Sequence, residues 1–329
     1  MALLPDKTTD FLKLKKPDVC KDSIAFENLD PTGQNQFGCH FYNLTDGFTP
    51  LKIRYNERTG ILTIEGSIPF FWQGHNIGFQ NSQLLKALEY CSEVLCINLM
   101  DFEVDSFEFG RMLSVETNPG YILKNHLALP KHSFHPHFTK SGELTGIEFS
   151  DPVRKVKMYN PKFSPAFKKI SLEIKTGIPD FDPKGKYVRV ENHVKRADIY
   201  LQIRNLSLDQ YCKDEFQTML KSDLIETYNS IQRKETFVLP DGIEKPSVNQ
   251  LLYLILLEQN PNIKKEIEAK MKAMNLDPVT YKNRQSKIRN DLKQFEPTPD
   301  ERTNLMPLLQ ESFTDNSETT VSKCQTRTT

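Results

Sequence analysis

Residues 153–162 read V-R-K-V-K-M-Y-N-P-K and contain residue types that phosphodiester chemistry can use. Apolar and basic residues intermix up to Tyr159, Pro161 ends the strand pattern, and Lys162 follows. A tyrosine at the end of a cationic strand, with an ammonium three positions on, could attack a phosphodiester as a nucleophile. The same residues are equally compatible with a half-buried tyrosine in an ordinary strand.

A second stretch, Y-V-R-V-E-N-H-V-K-R at 187–196, places a carboxylate beside an imidazole. Side chains two positions apart in a strand share a face. One face, which carries Val188, Val190 and Val194, is therefore predicted to point into the core. Glu191 and His193 lie on the opposite face, flanked by the cations Arg189 and Lys195. Because Mg²⁺ and Mn²⁺ favour oxygen donors and Mn²⁺ also accepts imidazole, Glu191 and His193 could be metal ligands. The alternative is a solvated face whose charges pair along the sheet.

Two more places offer polar groups. In S-F-E-F-G, Glu108 points away from its flanking phenylalanines. It could hold a metal or face a substrate phosphate. The alternative is that it simply faces water. In the loop W-Q-G-H-N, His75 and Asn76 could contact DNA or orient a metal ligand. The alternative for this loop is a plain turn in which asparagine tolerates a positive φ.

The histidines of H-S-F-H-P-H suggest a different site. A His-x-His pair upstream of Tyr-x-x-Lys resembles the HUH endonucleases, in which two histidines bind the metal and a tyrosine attacks the DNA. The middle residue here is Pro136, which argues against a central strand, so we assign His135 and His137 to a loop. A metal-dependent hydrolase built on these two residues and His132 remains a third hypothesis.

The elements that must position these residues follow from periodicity. Alternation from Leu51 predicts a β-hairpin, and an apolar face from Leu84 to Leu95 predicts a helix. Further strands are expected near 105–115, 145–149, 153–159 and 187–196, and helices after 205. The sequence thus predicts an α+β fold, with a mainly antiparallel catalytic sheet and a helical C-terminal region. The expected divisions are an irregular segment at 1–50, a catalytic domain at 51–205, a basic helical region at 206–295 and a disordered tail at 296–329.

Composition limits the remaining possibilities. The 43 basic and 43 acidic residues cancel, so only local clusters could attract nucleic acid. The six cysteines form no C-x-x-C and no zinc pattern, which indicates reduced, structural thiols. The longest apolar run, 251–257, is far shorter than the ~20 residues of a membrane span, and the N-terminus lacks a signal-peptide pattern. We therefore expect a cytoplasmic protein that makes no membrane contact.

Three blocks together resemble the replication initiators of filamentous phages, the gene II/X family. The first, T-I-E-G-S-I-P-F-F-W-Q-G-H-N-I-G-F-Q-N-S-Q-L-L, keeps the serine and the Q-G-H-N of the family, but departs from it at 68–71 and 78–79. The second, K-M-Y-N-P-K, looks like its catalytic tyrosine and following lysine, and the third, Y-V-R-V-E-N-H-V-K, like its R-x-E strand. The R-I-D strand of the family is matched more loosely by S-F-E, and the resemblance covers about residues 60–205.

The resemblance implies a rolling-circle replication initiator that nicks one strand of a double-stranded origin and rejoins it. The strand would be held through a 5′-phosphotyrosine on Tyr159, assisted by Lys162 or Lys157, with Mg²⁺ or Mn²⁺ held by Glu108, Glu191 and His193. We assign the DNA contacts to a further set, His75, Asn76, Lys157, Arg189 and Lys195. The partners would be origin duplex, single-stranded DNA, and a host helicase and polymerase, in the host cytoplasm if the chain is phage-encoded. The alternative is a non-catalytic, sequence-specific DNA-binding protein.

Overall fold

The computed structural model describes residues 9–178, 181–237, 248–259, 263–274, 277–293 and 297–314. Their contacts divide the chain into two compact units. One comprises the described parts of 1–232 and 305–329, and the other those of 233–304. The predicted boundaries at residues 50 and 205 do not coincide with this division.

The first unit is built on a ten-stranded antiparallel sheet in the order β2-β3-β4-β5-β1-β6-β11-β10-β9-β8. Its strands are β1 (Thr9–Lys16), β2 (Asp30–Gln34), β3 (Cys39–Leu44), β4 (Leu51–Asn56), β5 (Ile61–Ser67), β6 (Glu103–Ser114), β8 (Ser133–Phe138), β9 (Leu144–Ser150), β10 (Arg154–Tyr159) and β11 (Tyr187–Val194), and β7 (His126–Ala128) lies outside this sheet. The α+β prediction is confirmed.

The helices of this unit are α1 (Ile68–Gln73), α2 (Asn81–Leu95), α3 (Pro119–Lys124), α4 (Pro165–Lys169), α5 (Leu172–Gly177), α6 (Ala197–Leu201), α7 (Leu208–Tyr211), α8 (Asp214–Asn229) and α12 (Met306–Thr314). Short 3₁₀ helices occur at Lys21–Ser23, Phe26–Asn28, Leu99–Asp101 and Pro161–Phe163. β12 (Gln232–Arg233) lies where the two units meet along the chain. The second unit contains α9 (Val248–Gln259), α10 (Ile263–Ala273), α11 (Pro278–Lys293), a 3₁₀ helix at Glu301–Thr303 and the paired strands β13 (Glu235–Phe237) and β14 (Pro297–Pro299).

One face of the large sheet forms the hydrophobic core. On β11, Val188, Val190 and Val194 are fully buried, as the alternation predicted. Leucines on α2 and α8, including Leu88 and Leu224, pack into the same hydrophobic core and bury the apolar stripe of each helix. The polar residues that alternate with the core residues along each strand lie on the opposite face of the sheet.

Four sequence interpretations are wrong in detail. Residues 1–50 are not simply irregular, because they supply β1, β2 and β3, and β1 lies between β5 and β6. The tail expected at 296–329 includes α12, whose Leu309 is fully buried; residues 315–329 lie outside the described residues. The predicted loop W-Q-G-H-N begins inside the helix α1, which ends at Gln73 and has proline in its first turn. The loop expected around His135 is the strand β8, where Pro136 is tolerated because β8 is the edge strand of the sheet formed by the described residues.

No helix in the described ranges is long and apolar enough to cross a membrane.

Candidate active site

Strand register brings the chemically active residues onto one face of the sheet. Tyr159 on β10 pairs with Arg189 on β11, and Lys157 pairs with Glu191. On the other side of β11, His193 pairs with Glu108 of β6. Their side chains therefore project from three adjacent strands on the face opposite the core.

Three acidic side chains meet there, and we call Asp10, Glu108 and Glu191 the carboxylate cluster. One oxygen of each lies within 4.8 Å of the other two. Their side chains are only 8, 14 and 3% exposed, respectively. Three ionised carboxylates this close and this dry repel one another strongly, so they require counter-charges.

Two cations of the chain supply part of that charge. The buried Arg189 guanidinium donates to Asp10 Oδ2 at 2.8 Å and also to Glu191 Oε2. The Lys157 ammonium bridges Glu108 and Glu191, at 3.2 Å from Glu191 Oε1. Burial alone would lower the pKa of Lys157, but the charges of Glu191 and Glu108 outweigh it and raise that pKa above its ordinary value. Lys157 is therefore an ion-pair partner inside the cluster, rather than a free cation for DNA.

Tyr159 is joined to this cluster by its hydroxyl, which donates to Glu191 Oε2 at 3.1 Å. Burial and the negative charge of Glu191 raise the pKa of Tyr159 well above its ordinary value, and the positive charge of Arg189 only partly opposes them. The phenol is consequently protonated at rest. Its hydrogen bond points at a carboxylate that can accept the proton.

His193 contacts a carboxylate of the cluster and an aromatic ring, and its role as a metal ligand stays a prediction. Its Nδ1 lies 3.0 Å from Glu108 Oε1, and its ring stacks on Phe11 with centroids 5.9 Å apart. Burial tends to raise the pKa of Glu108, but the hydrogen bond from His193 and the charge of Lys157 outweigh it and lower the pKa to about 2. In this arrangement His193 orients a carboxylate of the cluster.

The Q-G-H-N loop approaches the same place. Asn76 donates from Nδ2 to Asp10 Oδ2 at 2.9 Å, and Ser67 donates to Asp10 Oδ1 at 2.8 Å. The loop is shaped by Gly74, which ends α1 with φ +76°, a conformation that favours glycine. In the same loop, His75 Nδ1 accepts from the Ile77 backbone N–H at 3.2 Å. Of the two loop residues singled out in the sequence, Asn76 therefore reaches the cluster directly.

Other predicted residues lie outside the cluster. The Lys162 ammonium has no hydrogen-bond or ion-pair partner among the described residues, and its backbone N–H donates to the Asn160 Oδ1 that caps the turn. The Lys195 ammonium donates to the backbone carbonyl of Asp151. His135 and His137 are exposed on β8 and belong to no group of three possible metal ligands within the ranges described above. Their roles in catalysis, DNA contact or metal binding stay predictions.

Asp10 is the functional candidate that the sequence interpretation missed. It lies in T-D-F-L-K-L-K, where Leu12 and Leu14 alternate with lysines and could have indicated a strand. A register shift between Thr9 and Phe11, where β1 pairs with β6, marks a bulge at Asp10. Bulges re-aim a side chain, and here the carboxylate reaches the polar face beside Glu108 and Glu191.

The carboxylate cluster fits a divalent cation that prefers oxygen ligands. The donor set of three carboxylates suits Mg²⁺ or Mn²⁺. The three carboxylates outnumber the two cations, Lys157 and Arg189, by one charge, which a bound cation would offset. A cation coordinated by Glu108 and Glu191 would compete with the Lys157 ammonium for the same oxygens. Asp10 replaces His193 in the ligand set that this geometry favours.

No protein-family model matches the chain, and no curated protein matches it.

Proposed function

We propose that the protein is a DNA nicking-joining enzyme that initiates rolling-circle replication, with Tyr159 as the nucleophile. The observation that carries this proposal is the hydrogen bond from the Tyr159 hydroxyl to Glu191, a member of the buried carboxylate cluster. The Q-G-H-N, tyrosine and R-x-E blocks follow one another in the order found in the phage gene II/X initiators. This resemblance supports DNA as the substrate. A structural ion-pair network would need the carboxylates and cations, but it would not need a tyrosine hydroxyl aimed at one of them.

The proposed step exchanges one phosphodiester for another. Tyr159 gives its proton to Glu191, and its oxygen forms a bond to the phosphorus. The bond from phosphorus to the 3′ oxygen breaks, and that oxygen leaves with the electron pair and ends as a hydroxyl after taking a proton. Because one ester bond replaces another, the reverse reaction rejoins the strand without a nucleotide cofactor.

A divalent cation bound to the carboxylate cluster would polarise the scissile phosphate and stabilise its developing charge. The chain's own residues then have separate roles. Arg189 holds Asp10 and Glu191 in place, and its Nη1, buried and without a partner among the described residues, is a donor left for a phosphate oxygen. Asn76 and Ser67 orient Asp10, and His193 orients Glu108.

DNA contacts beyond the cluster are proposed for His75, Lys195 and the basic helices of the second unit. Residues 263–295 carry nine Lys or Arg against four Asp or Glu, a local excess that suits a phosphate backbone. The substrates would be origin duplex and single-stranded DNA, with a host helicase and polymerase as partners. The place of action would be the cytoplasm.

The proposal is tested by incubating the protein with supercoiled DNA of its replicon and with single-stranded fragments of it, in Mg²⁺ or Mn²⁺. Mass analysis of the protein then detects covalent DNA and identifies the modified tyrosine. Wild type should form the adduct and Tyr159→Phe should not. Tyr90→Phe is the matched control, because the Tyr90 hydroxyl also donates to a carboxylate, Asp46, at 3.1 Å but does so away from the cluster.

Normal nicking by Tyr159→Phe would refute the nucleophile assignment. Binding of origin DNA without any adduct in either metal would favour the rival function, sequence-specific DNA binding without catalysis.

A further inference from the structure

A cavity of about 240 Å³ adjoins Tyr159 on the side away from Arg189. Its lining includes Tyr159 and Lys157 of β10, His137 of the edge strand β8, and Phe163 and Ser164 of the following turn. That turn is fixed, because Asn160 donates its backbone N–H to the Thr145 carbonyl at 2.9 Å and its side chain caps the 3₁₀ helix Pro161–Phe163. The cavity therefore has a defined wall next to the proposed nucleophile.

Gly146 keeps the cavity open between β8 and β10. It pairs with Tyr159 on one side and with His137 on the other. A Cβ at position 146 would lie 2.9 Å from the Tyr159 Cβ and 3.3 Å from the Met158 carbonyl oxygen. Any larger residue would therefore displace the tyrosine. Glycine gives a ligand room beside the phenol ring.

The lining favours a flat, largely uncharged group over a phosphate. A phosphate seeks cations with unused donors, but the one lysine of the lining, Lys157, is already paired with Glu108 and Glu191. The remaining walls offer aromatic and apolar surface from Tyr159, Phe163 and Pro165, with the His137 imidazole and Ser164 hydroxyl as polar groups. Nucleobases combine flat faces that stack on aromatic rings with hydrogen-bonding edges.

We propose that this cavity is a base pocket: it takes the nucleobase next to the scissile phosphate and so positions that phosphate at the Tyr159 hydroxyl. This inference rests on the proposed function, because it assigns the occupant from the strand that Tyr159 would cut. Phe163 is the stacking residue. His137 and Ser164 contact the edge of the base.

Photocrosslinking tests the pocket without requiring catalysis. Single-stranded DNA containing 5-iodouracil is bound to Tyr159→Phe protein, which keeps the ring but cannot form the adduct, and is irradiated. Peptide mass spectrometry should find crosslinks at Phe163 or His137. In parallel, Phe163→Ala should weaken binding of the same oligonucleotide roughly 5- to 150-fold, the loss expected for one stacked base. Phe134→Ala is the control, because Phe134 is an exposed aromatic on β8 that does not line the cavity.

The outcomes separate the pocket from the reaction. Crosslinks that avoid Phe163 and His137, together with unchanged binding by Phe163→Ala, would overturn the pocket even if wild type forms the tyrosyl adduct. If crosslinks form at the pocket but the wild-type protein never forms a tyrosyl adduct, the pocket is supported and the nicking activity is refuted. Since crosslinking needs no change at Phe163, a folding defect in Phe163→Ala cannot conceal the answer.

Discussion

Glu108→Gln should reduce the stability of the protein in a way that depends on pH. The pKa of Glu108 is lowered from an ordinary 4.5 to about 2, because the hydrogen bond from His193 and the charge of Lys157 outweigh the effect of burial. A carboxylate whose pKa is lower in the folded state stabilises the fold above its unfolded pKa, and this contribution is lost as the pH falls through the folded pKa. The difference of about 2.5 pKa units corresponds to about 3 kcal/mol at pH 7 and about 1 kcal/mol at pH 3.

The measurement is urea denaturation of wild type and Glu108→Gln between pH 7 and pH 3. The free energy of unfolding should differ by about 3 kcal/mol at pH 7, and the two curves should converge toward pH 2. Asp105→Asn is the control, because its ion pair with Lys13 at 2.6 Å is more exposed and should be worth about 0.2–1 kcal/mol. Parallel curves for wild type and Glu108→Gln would refute the account of the carboxylate cluster as an ionised, charge-paired group.

Four further substitutions test the site and the fold. Asp10→Asn should weaken Mn²⁺ binding at least about tenfold by calorimetry, because it removes one of the proposed ligands. Lys157→Met should strengthen Mn²⁺ binding, because it removes the ammonium that competes for the same oxygens. Asn76→Ala should slow adduct formation while costing only about 1 kcal/mol of stability, because it removes one hydrogen bond to Asp10. Leu309→Ala should lower the free energy of unfolding by about 2–5 kcal/mol in urea denaturation, because Leu309 is fully buried. Gln310→Ala, at an exposed position, should leave it almost unchanged. Equal effects of the two substitutions would contradict the packing of α12.

Local periodicity predicted the elements that carry most of the site. In β11, the alternation placed the valines in the core and put Glu191 and His193 on the opposite face, and both placements are confirmed. The hairpin of β4 and β5 and the helix α2 follow from the same kind of pattern. Such signals succeed because each strand or helix with one apolar face reveals that face within a few residues.

What sequence reasoning missed depends on pairings between distant parts of the chain. Asp10 joins Glu108 and Glu191 only because β1 enters the sheet between β5 and β6, and no local pattern in T-D-F-L-K-L-K specifies that position. The burial of Arg189 was likewise unpredictable from its own strand, where a charged alternating face usually faces water. It is buried because carboxylates from β1 and β11 neutralise it there.

The two cations of the carboxylate cluster are suited to different tasks. Arginine remains protonated under all ordinary conditions, and Arg189 is almost fully buried between Asp10 and Glu191, so it fixes their geometry permanently. Lys157 has a side chain that is 27% exposed and a flexible stem, so it is the cation that would move if a metal took its place. Because the charge of Glu191 raises the pKa of Tyr159, each added positive charge near Glu191 makes the phenol more acidic. Replacing the lysine charge by a divalent ion at Glu191 would therefore make the phenol of Tyr159, the proposed nucleophile, more acidic.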